Sequence, residues 1–179
     1  LNARIAIVIS DWHCAGIADA ANLGIQTKVI ERRNFATRLN HDLAIRDAIT
    51  SSSANYVFLA GYMAILGADF TTTFAGRLIN IHPSLLPDFR GLDTHQRAIE
   101  ARAKQHGATV HLVTAELDDG PIILQAQLSI LPGDNADSLA TRVLQIEHRL
   151  YPFVLKCLCK GHLILSADRV TWHNTERAM

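Results

Sequence analysis

The sequence predicts an α/β fold: an open, mostly parallel sheet with helices on both faces, and antiparallel strands toward the C-terminal part. Three observations lead there. From Arg4 to His82, short apolar β-rich runs alternate with helical stretches in the order β-α-β-α-β-α-β. The run from Arg4 to Ser10 is continuous, as parallel strands buried on both faces tend to be, while Ile25 to Ile30 alternates. Beyond Thr94, two β-rich segments are joined by a loop with no room for a crossover helix, which is an antiparallel connection.

Taken in order, Arg4 to Ser10 is a buried strand, and Ala15 to Asn22 is an Ala-rich helix stopped by Gly24. Ile25 to Ile30 is a second strand. Asn34 is the expected N-cap of a helix from Phe35 to Ser51, with Leu39, Leu43, Ile45 and Ile49 on its apolar face. Tyr56 to Ala60 is a third strand ended by Gly61, Ala68 to Phe74 a short helix, and Leu78 to His82 a fourth strand. Pro83 to Gly91 is an irregular loop and Thr94 to Ala103 a helix. Ala108 to Thr114 and Pro121 to Leu131 are strands joined by the Glu116 to Gly120 loop. Asp134-Asn135 caps a long helix, Ala136 to Lys160, stopped by Gly161, and Leu163 to Leu165 with Arg169 to Trp172 forms a terminal hairpin.

The 179 residues fit one domain with a sizeable core, and 49% apolar against 19% charged residues is a globular composition. Lys+Arg and Asp+Glu balance at 17 each, so bulk charge offers no reason to expect nucleic acid or an anionic membrane. No apolar run reaches the ~18 residues of a membrane span, and the strand-like N-terminus is not a signal peptide. Cys14, Cys157 and Cys159 have no metal-ligand spacing and read as reduced thiols, which places the chain in the cytoplasm. Cys157 and Cys159, two apart in a helix, are expected as core or near-surface side chains. There is no HExxH, paired CxxC or G-x-S-x-G pattern, so no metal is expected and no serine nucleophile is marked.

Asn80 and His82 alternate along one strand and therefore share a face. Pro83 stops the strand at once. An imidazole can move a proton near neutral pH, and a carboxamide can donate to a developing oxyanion. Strand ends in such sheets border ligand sites, so Gly61-Tyr62-Met63 should lie beside Asn80-Ile81-His82. Asp118 sits in a Gly-Pro turn, where Asp is common for purely structural reasons. Delivered to His82, its carboxylate would stabilise an imidazolium.

Four collinear segments carry a resemblance that spans almost the whole chain: Leu59 to Met63, Leu78 to Pro87, Glu116 to Ile122 and Gln145 to Pro152. They resemble the phosphoribosylglycinamide formyltransferases, folate-dependent enzymes of purine biosynthesis within a wider Rossmann-like formyltransferase family. The resemblance implies formyl transfer from 10-formyltetrahydrofolate to the amine of glycinamide ribonucleotide, by a monomer or homodimer without metal. It places catalysis on Asn80, His82 and Asp118. It places the folate on Arg38, Met63, Ala64, Ile65, Leu66 and Asn80 and on Thr114, Ala115, Glu116, Leu117 and Asp118. It places the nucleotide on Pro83 and Glu147, and His111 beside the site. Ala64 stands where the family often has Arg, and Asp93 where His is frequent. Residues 1–179 then form a single formyltransferase domain that begins at the family's second strand. The first strand and its Gly-Ser-rich phosphate loop are expected in a segment before Leu1. The competing readings are a formyltetrahydrofolate deformylase, whose pattern differs at Pro83 and Leu85, and a non-catalytic folate-binding domain of the same fold. A methionyl-tRNA formyltransferase fits the Asn80-to-Pro87 segment less well.

Overall fold

The computed structural model describes residues 3–173. The elements, in chain order, are β1 (Val8–Ser10), α1 (Ala15–Asn22), β2 (Thr27–Val29), a 3₁₀ turn at Arg32–Asn34, α2 (Arg38–Ser51), β3 (Val57–Leu59), α3 (Ala68–Thr73) and β4 (Leu78–His82). They continue with α4 (Thr94–Glu100), β5 (Gln105–Leu112), β6 (Ile122–Ser129), α5 (Ala136–Cys159), β7 (Leu163–Leu165) and β8 (Val170–Trp172). The predicted α/β class and the order of elements both hold.

The sheet is not continuous among the described residues. β1 and β2 pair in parallel; β3-β4-β5-β6 form a second sheet; β7 and β8 form a hairpin. In the second sheet β3 runs parallel to β4, with Leu59 opposite Asn80, and β5 is antiparallel to both β4 and β6. The first strand is shorter than expected and not buried on both faces: Arg4 and Ile5 are exposed, and only Val8–Ser10 pair. Among the described residues this three-residue strand has a partner, β2, on one edge only. The two sheets nonetheless share one apolar cluster, in which Ile9 and Ile30 meet Ile45 and Ile49 of α2, Phe70, Phe74, Val57, Leu59 and Leu78.

The start of α2 departs from expectation. Asn34 closes the 3₁₀ turn, where its side chain donates to Glu31 Oε2 at 3.4 Å, so it is not the cap. Thr37 is the N-cap, and its Oγ1 accepts from the Asn40 N–H at 3.1 Å. Leu39, in the first turn, is 55% exposed rather than on the apolar face, while Ile45 and Ile49 are buried. At α5 the expected cap is present as a reciprocal box: Asn135 Oδ1 accepts from Ser138 N–H, and Ser138 Oγ accepts from Asn135 N–H. Leu139, Val143, Leu150 and Val154 of α5 pack on Val110, Leu112 and Ile123 of β5 and β6. Cys157 is buried and Cys159 half-buried, as expected.

The Pro83 to Gly91 loop has no ladder, so side chains satisfy its backbone groups. Thr109, fully buried on β5, is the hub. Its hydroxyl donates to Ser84 O at 2.7 Å and accepts from Leu86 N–H at 3.0 Å and from Gln125 Nε2 at 2.9 Å. Gln125 also donates to Leu86 O, Thr94 Oγ1 donates to Pro83 O, and Ser84 Oγ donates to Asp88 O. α4 docks against β5 through His95 Nδ1 and His106 Nε2, 3.1 Å apart. α4 follows Asp93, an exposed residue in the left-handed region (φ 56°) that makes no side-chain cap.

Two outcomes follow from these contacts. Thr109→Val keeps shape but strands the Leu86 N–H and the Ser84 carbonyl, and should cost about 2 kcal/mol in urea unfolding; a loss within about 0.5 kcal/mol of zero would show that the hub is dispensable. Burial, and then the neighbouring His95 and His82, push His106 down to about 4. The folded chain thus leaves His106 neutral where the unfolded chain protonates it, below about pH 6.5. Its contribution is fully present above that pH and is lost as the pH falls toward 4. His106→Gln should therefore lose less stability on acidification than the parent; an equal loss would refute the assignment.

Candidate active site

β4 places Asn80 and His82 on one face at its carboxyl end, and β5 supplies the facing residue. Asn80 lies opposite His111 in the antiparallel register. A register shift between Val110 and His111, against β6, re-aims the His111 side chain at this point. His111 Nδ1 is 2.8 Å from Leu112 O, an acceptor only, so Nδ1 carries the ring proton. Burial holds His111 below its usual range, against the Leu112 carbonyl and the Asp118 carboxylate, which favour its charged form. The neutral ring then presents bare Nε2 to Asn80 Nδ2 at 3.3 Å. This contact orients the Asn80 carboxamide, spends one of its N–H bonds and leaves the other for a ligand.

Asp118 arrives from the β5–β6 connection. Its Oδ2 is 3.4 Å from His82 Nδ1 and accepts from the Gly91 N–H at 2.9 Å, while its Oδ1 is 3.8 Å from His111 Nε2. His82 is 6% exposed, and its Nε2 is 3.1 Å from Phe89 O. Both ring nitrogens of His82 therefore face acceptors, so its proton has a partner on either one. The predicted trio is thus brought together, with His111 in direct contact rather than merely near.

The other expected residues fall into three groups. Met63, Ala64 and Ile65 follow β3 and are exposed, whereas Leu66 packs with Tyr62 and Val113 on the α2–α3 cluster. That shared cluster joins the Met63–Leu66 segment to the strand leading into Thr114. Thr114 is half-buried and donates to Glu116 O, and Ala115, Glu116 and Leu117 are exposed. Arg38, in the first turn of α2, reaches Asp42 Oδ2 at 3.6 Å, and Asp42 in turn lies 3.4 Å from the Gly67 N–H. Arg38 therefore borders the end of the Met63–Leu66 segment, not the Asn80–His82 pair. A groove of about 150 Å³ beside it, lined by Leu39, Asp42, Leu43, Gly67 and Phe70 among others, has none of Asn80, His82 and Asp118 in its lining. Pro83 contributes its carbonyl to Thr94.

Glu147 lies on α5, half-buried, with no hydrogen-bond or ion-pair partner among the described residues, and burial pushes its carboxyl up. Tyr151, one turn on, fixes the helix that carries it. The Tyr151 hydroxyl lies 2.8 Å from Leu59 O and 2.9 Å from Ile79 O, where β3 and β4 run side by side, and its ring packs on Phe58 at 5.1 Å. Tyr151 is half-buried, and desolvation pushes its hydroxyl well above the phenol range. Residue-type patterns do not reveal the Phe89 carbonyl or the Gly91 N–H, because any residue supplies a backbone group. The glycine in Phe89-Arg90-Gly91 is the one available signal: at φ 78° it adopts a conformation that side chains resist.

Among the described residues, no group of three or more His, Cys, Asp or Glu is arranged to hold a metal ion, and no helix is long and apolar enough to cross a membrane. The arrangement offers a carboxamide donor, an imidazole backed by a carboxylate, and a second, neutral imidazole. Together these can stabilise an oxyanion and move a proton.

Comparison with known proteins fits this chemistry. Residues 1–155 match the formyl transferase family. The chain is 45% identical over 164 residues to the phosphoribosylglycinamide formyltransferase of Haemophilus influenzae, covering 91% of this chain and 77% of that protein. It is 40% identical over 162 residues to the Escherichia coli enzyme of the same name, covering 90% and 76%. The crystal structure of glycinamide ribonucleotide transformylase 1 from Symbiobacterium toebii superposes with a TM-score of 0.89 at 38% identity, over 96% of this chain and 81% of that one. The site and both kinds of likeness agree, and the chain belongs to the formyl transferase family, on its phosphoribosylglycinamide formyltransferase branch.

Proposed function

We propose that this formyltransferase moves the formyl group of 10-formyltetrahydrofolate to the amine of glycinamide ribonucleotide, with Asn80, His82 and Asp118 carrying the chemistry. The observation that carries the reading is the convergence of His82 and His111 on one Asp118 carboxylate, with the Asn80 amide held beside them. The substrate amine attacks the formyl carbon to give a tetrahedral intermediate. The second N–H of Asn80 donates to its oxyanion, and His82 adds to this when protonated. The attacking nitrogen then loses its proton and the folate nitrogen gains one as the C–N bond to folate breaks. His82, or a water it orients, relays that proton, while Asp118 holds the ring. For this relay Nε2 must leave the Phe89 carbonyl and turn to the substrate.

The flat pterin fits between the Met63–Leu66 segment and the Thr114–Asp118 loop, where main-chain groups can read its edge. Ala64 contributes backbone only, and Arg38 at the margin suits the acidic end of the folate. Pro83 and Glu147 face the nucleotide, and a half-buried carboxylate without a protein partner is suited to accept from ribose hydroxyls. The thiols of Cys14 and Cys159 are compatible with a reducing, cytoplasmic setting.

Formyl transfer by the full-length protein tests these roles. His82→Ala and Asp118→Asn should each lower kcat at least about 100-fold, with little change in KM for folate. Unaltered rates would sink the catalytic assignment, and formate release independent of the nucleotide would point to a hydrolase. Glu147→Gln should raise KM for glycinamide ribonucleotide about tenfold, since a hydrogen bond to a charged acceptor is lost. It should also raise the melting temperature at neutral pH. The folded state holds the Glu147 proton more tightly than the unfolded state, so the ionised carboxylate is a cost at neutral pH that Gln removes. A lower melting temperature together with an unchanged KM would refute that role.

A further inference from the structure

Two loops meet over the His82–Asp118 pair, and they meet at consecutive positions with opposite chain sense. Gly91 N–H donates to Asp118 Oδ2 at 2.9 Å, and the Arg90 guanidinium pairs with Asp119 Oδ1. A Cβ on Gly91 would lie 3.8 Å from the Leu117 side chain, an ordinary contact that packs the two loops side by side. Asp118 is the strained member of the contact. Its φ of 49° is in the left-handed region, which a residue with a side chain occupies only where its surroundings over-determine it. The Arg90 side of the contact is itself braced. Arg97 of α4 donates to Arg90 O at 2.5 Å and to Leu92 O at 3.2 Å, and its guanidinium lies 5.8 Å from the Phe89 ring centroid. A connected path thus runs from α4 through Arg90 and Asp119 to the backbone of Asp118.

We propose that Arg90 and Asp119 form a latch between the two loops that positions the Asp118 carboxylate against His82, so that both are positioning residues for formyl transfer. The proposal rests on the reading that His82 and Asp118 act in the transfer. Both latch side chains are well exposed, at 39% and 46%, so the pair contributes little to global stability. Its effect is local: it restrains the one residue next to a strained, functional backbone. The Gly91 N–H and His82 Nδ1 both meet the same oxygen, Oδ2, and contacts at one oxygen leave the carboxylate free to pivot about it. The neighbouring ion pair fixes the direction of the turn.

Steady-state kinetics on the full-length protein test the latch, with Arg90→Gln, Asp119→Asn and the charge exchange Arg90→Asp with Asp119→Arg. Each single substitution is also combined with Asp118→Asn. The expected result is a fall in kcat of about tenfold for each single, with KM for both substrates within about twofold. The exchange should restore at least half of the lost rate, and neither single should slow the Asp118→Asn protein further. Melting temperatures should stay close to that of the parent, which separates the latch from a general folding role. Unchanged kcat in the singles beside a slow Asp118→Asn protein would overturn the latch and leave the catalytic reading standing. A parent-like rate for Asp118→Asn would overturn both. A rise in KM at constant kcat would show instead that Arg90 meets a substrate, and would also overturn the proposal. If the exchanged protein does not fold, the loss of additivity with Asp118→Asn still decides the matter.

Discussion

The antiparallel pairing of β4 with β5 is the constraint on which the site depends. It sets Asn80 opposite His111, and without that register the carboxamide has no neighbour to orient it. A parallel partner would need a crossover and could not hand the chain straight back over the site. Because β5 runs antiparallel, its exit at Leu112 leads into a connection that folds over the β4–β5 face and delivers Asp118 to both histidines. One strand pairing therefore places three side chains and the loop that supplies the fourth.

The remaining structure keeps that loop and its neighbour in place. Thr109, Gln125, Thr94 and Ser84 take up the backbone groups of the Pro83 to Gly91 loop, which has no ladder of its own. That loop returns two backbone groups to the site, the Phe89 carbonyl to His82 and the Gly91 N–H to Asp118. Tyr151 ties α5, the helix that carries Glu147, to the carbonyls where β3 and β4 adjoin. Among the described residues, the buried side-chain nitrogen and oxygen atoms without a partner are the Tyr62 hydroxyl and His106 Nδ1, and the half-buried Glu147 carboxylate has no hydrogen-bond partner either. This is the pattern of a rigid scaffold holding a few costly groups for binding.

Most of the architecture was legible in the chain. The Leu78–His82 strand begins and ends as expected, because an apolar run meets a proline that cannot continue the ladder. Asn135 caps α5, since its amide and Ser138 are spaced to satisfy each other's backbone. The start of α2 was misplaced because Asn34 and Thr37 are both acceptable caps by residue type, and the 3₁₀ turn before the helix consumed the first of them. The first strand was overextended because a continuous apolar run marks hydrophobicity, not the number of partners a strand has.

The same division runs through the site. By itself the sequence determined that Asn80 and His82 share a face, because side chains alternate along a strand, and the collinear motifs pointed to Asp118 and Glu147 as their companions. Only the tertiary structure decided that His111 orients Asn80, that Phe89 and Gly91 contribute backbone groups, and that Arg90 reaches Asp119. The reason is physical. Periodicity is a property of neighbouring residues, whereas a contact across 27 or 31 positions depends on register, loop path and backbone direction. Those are set by packing the whole chain, and no short window of residues carries them.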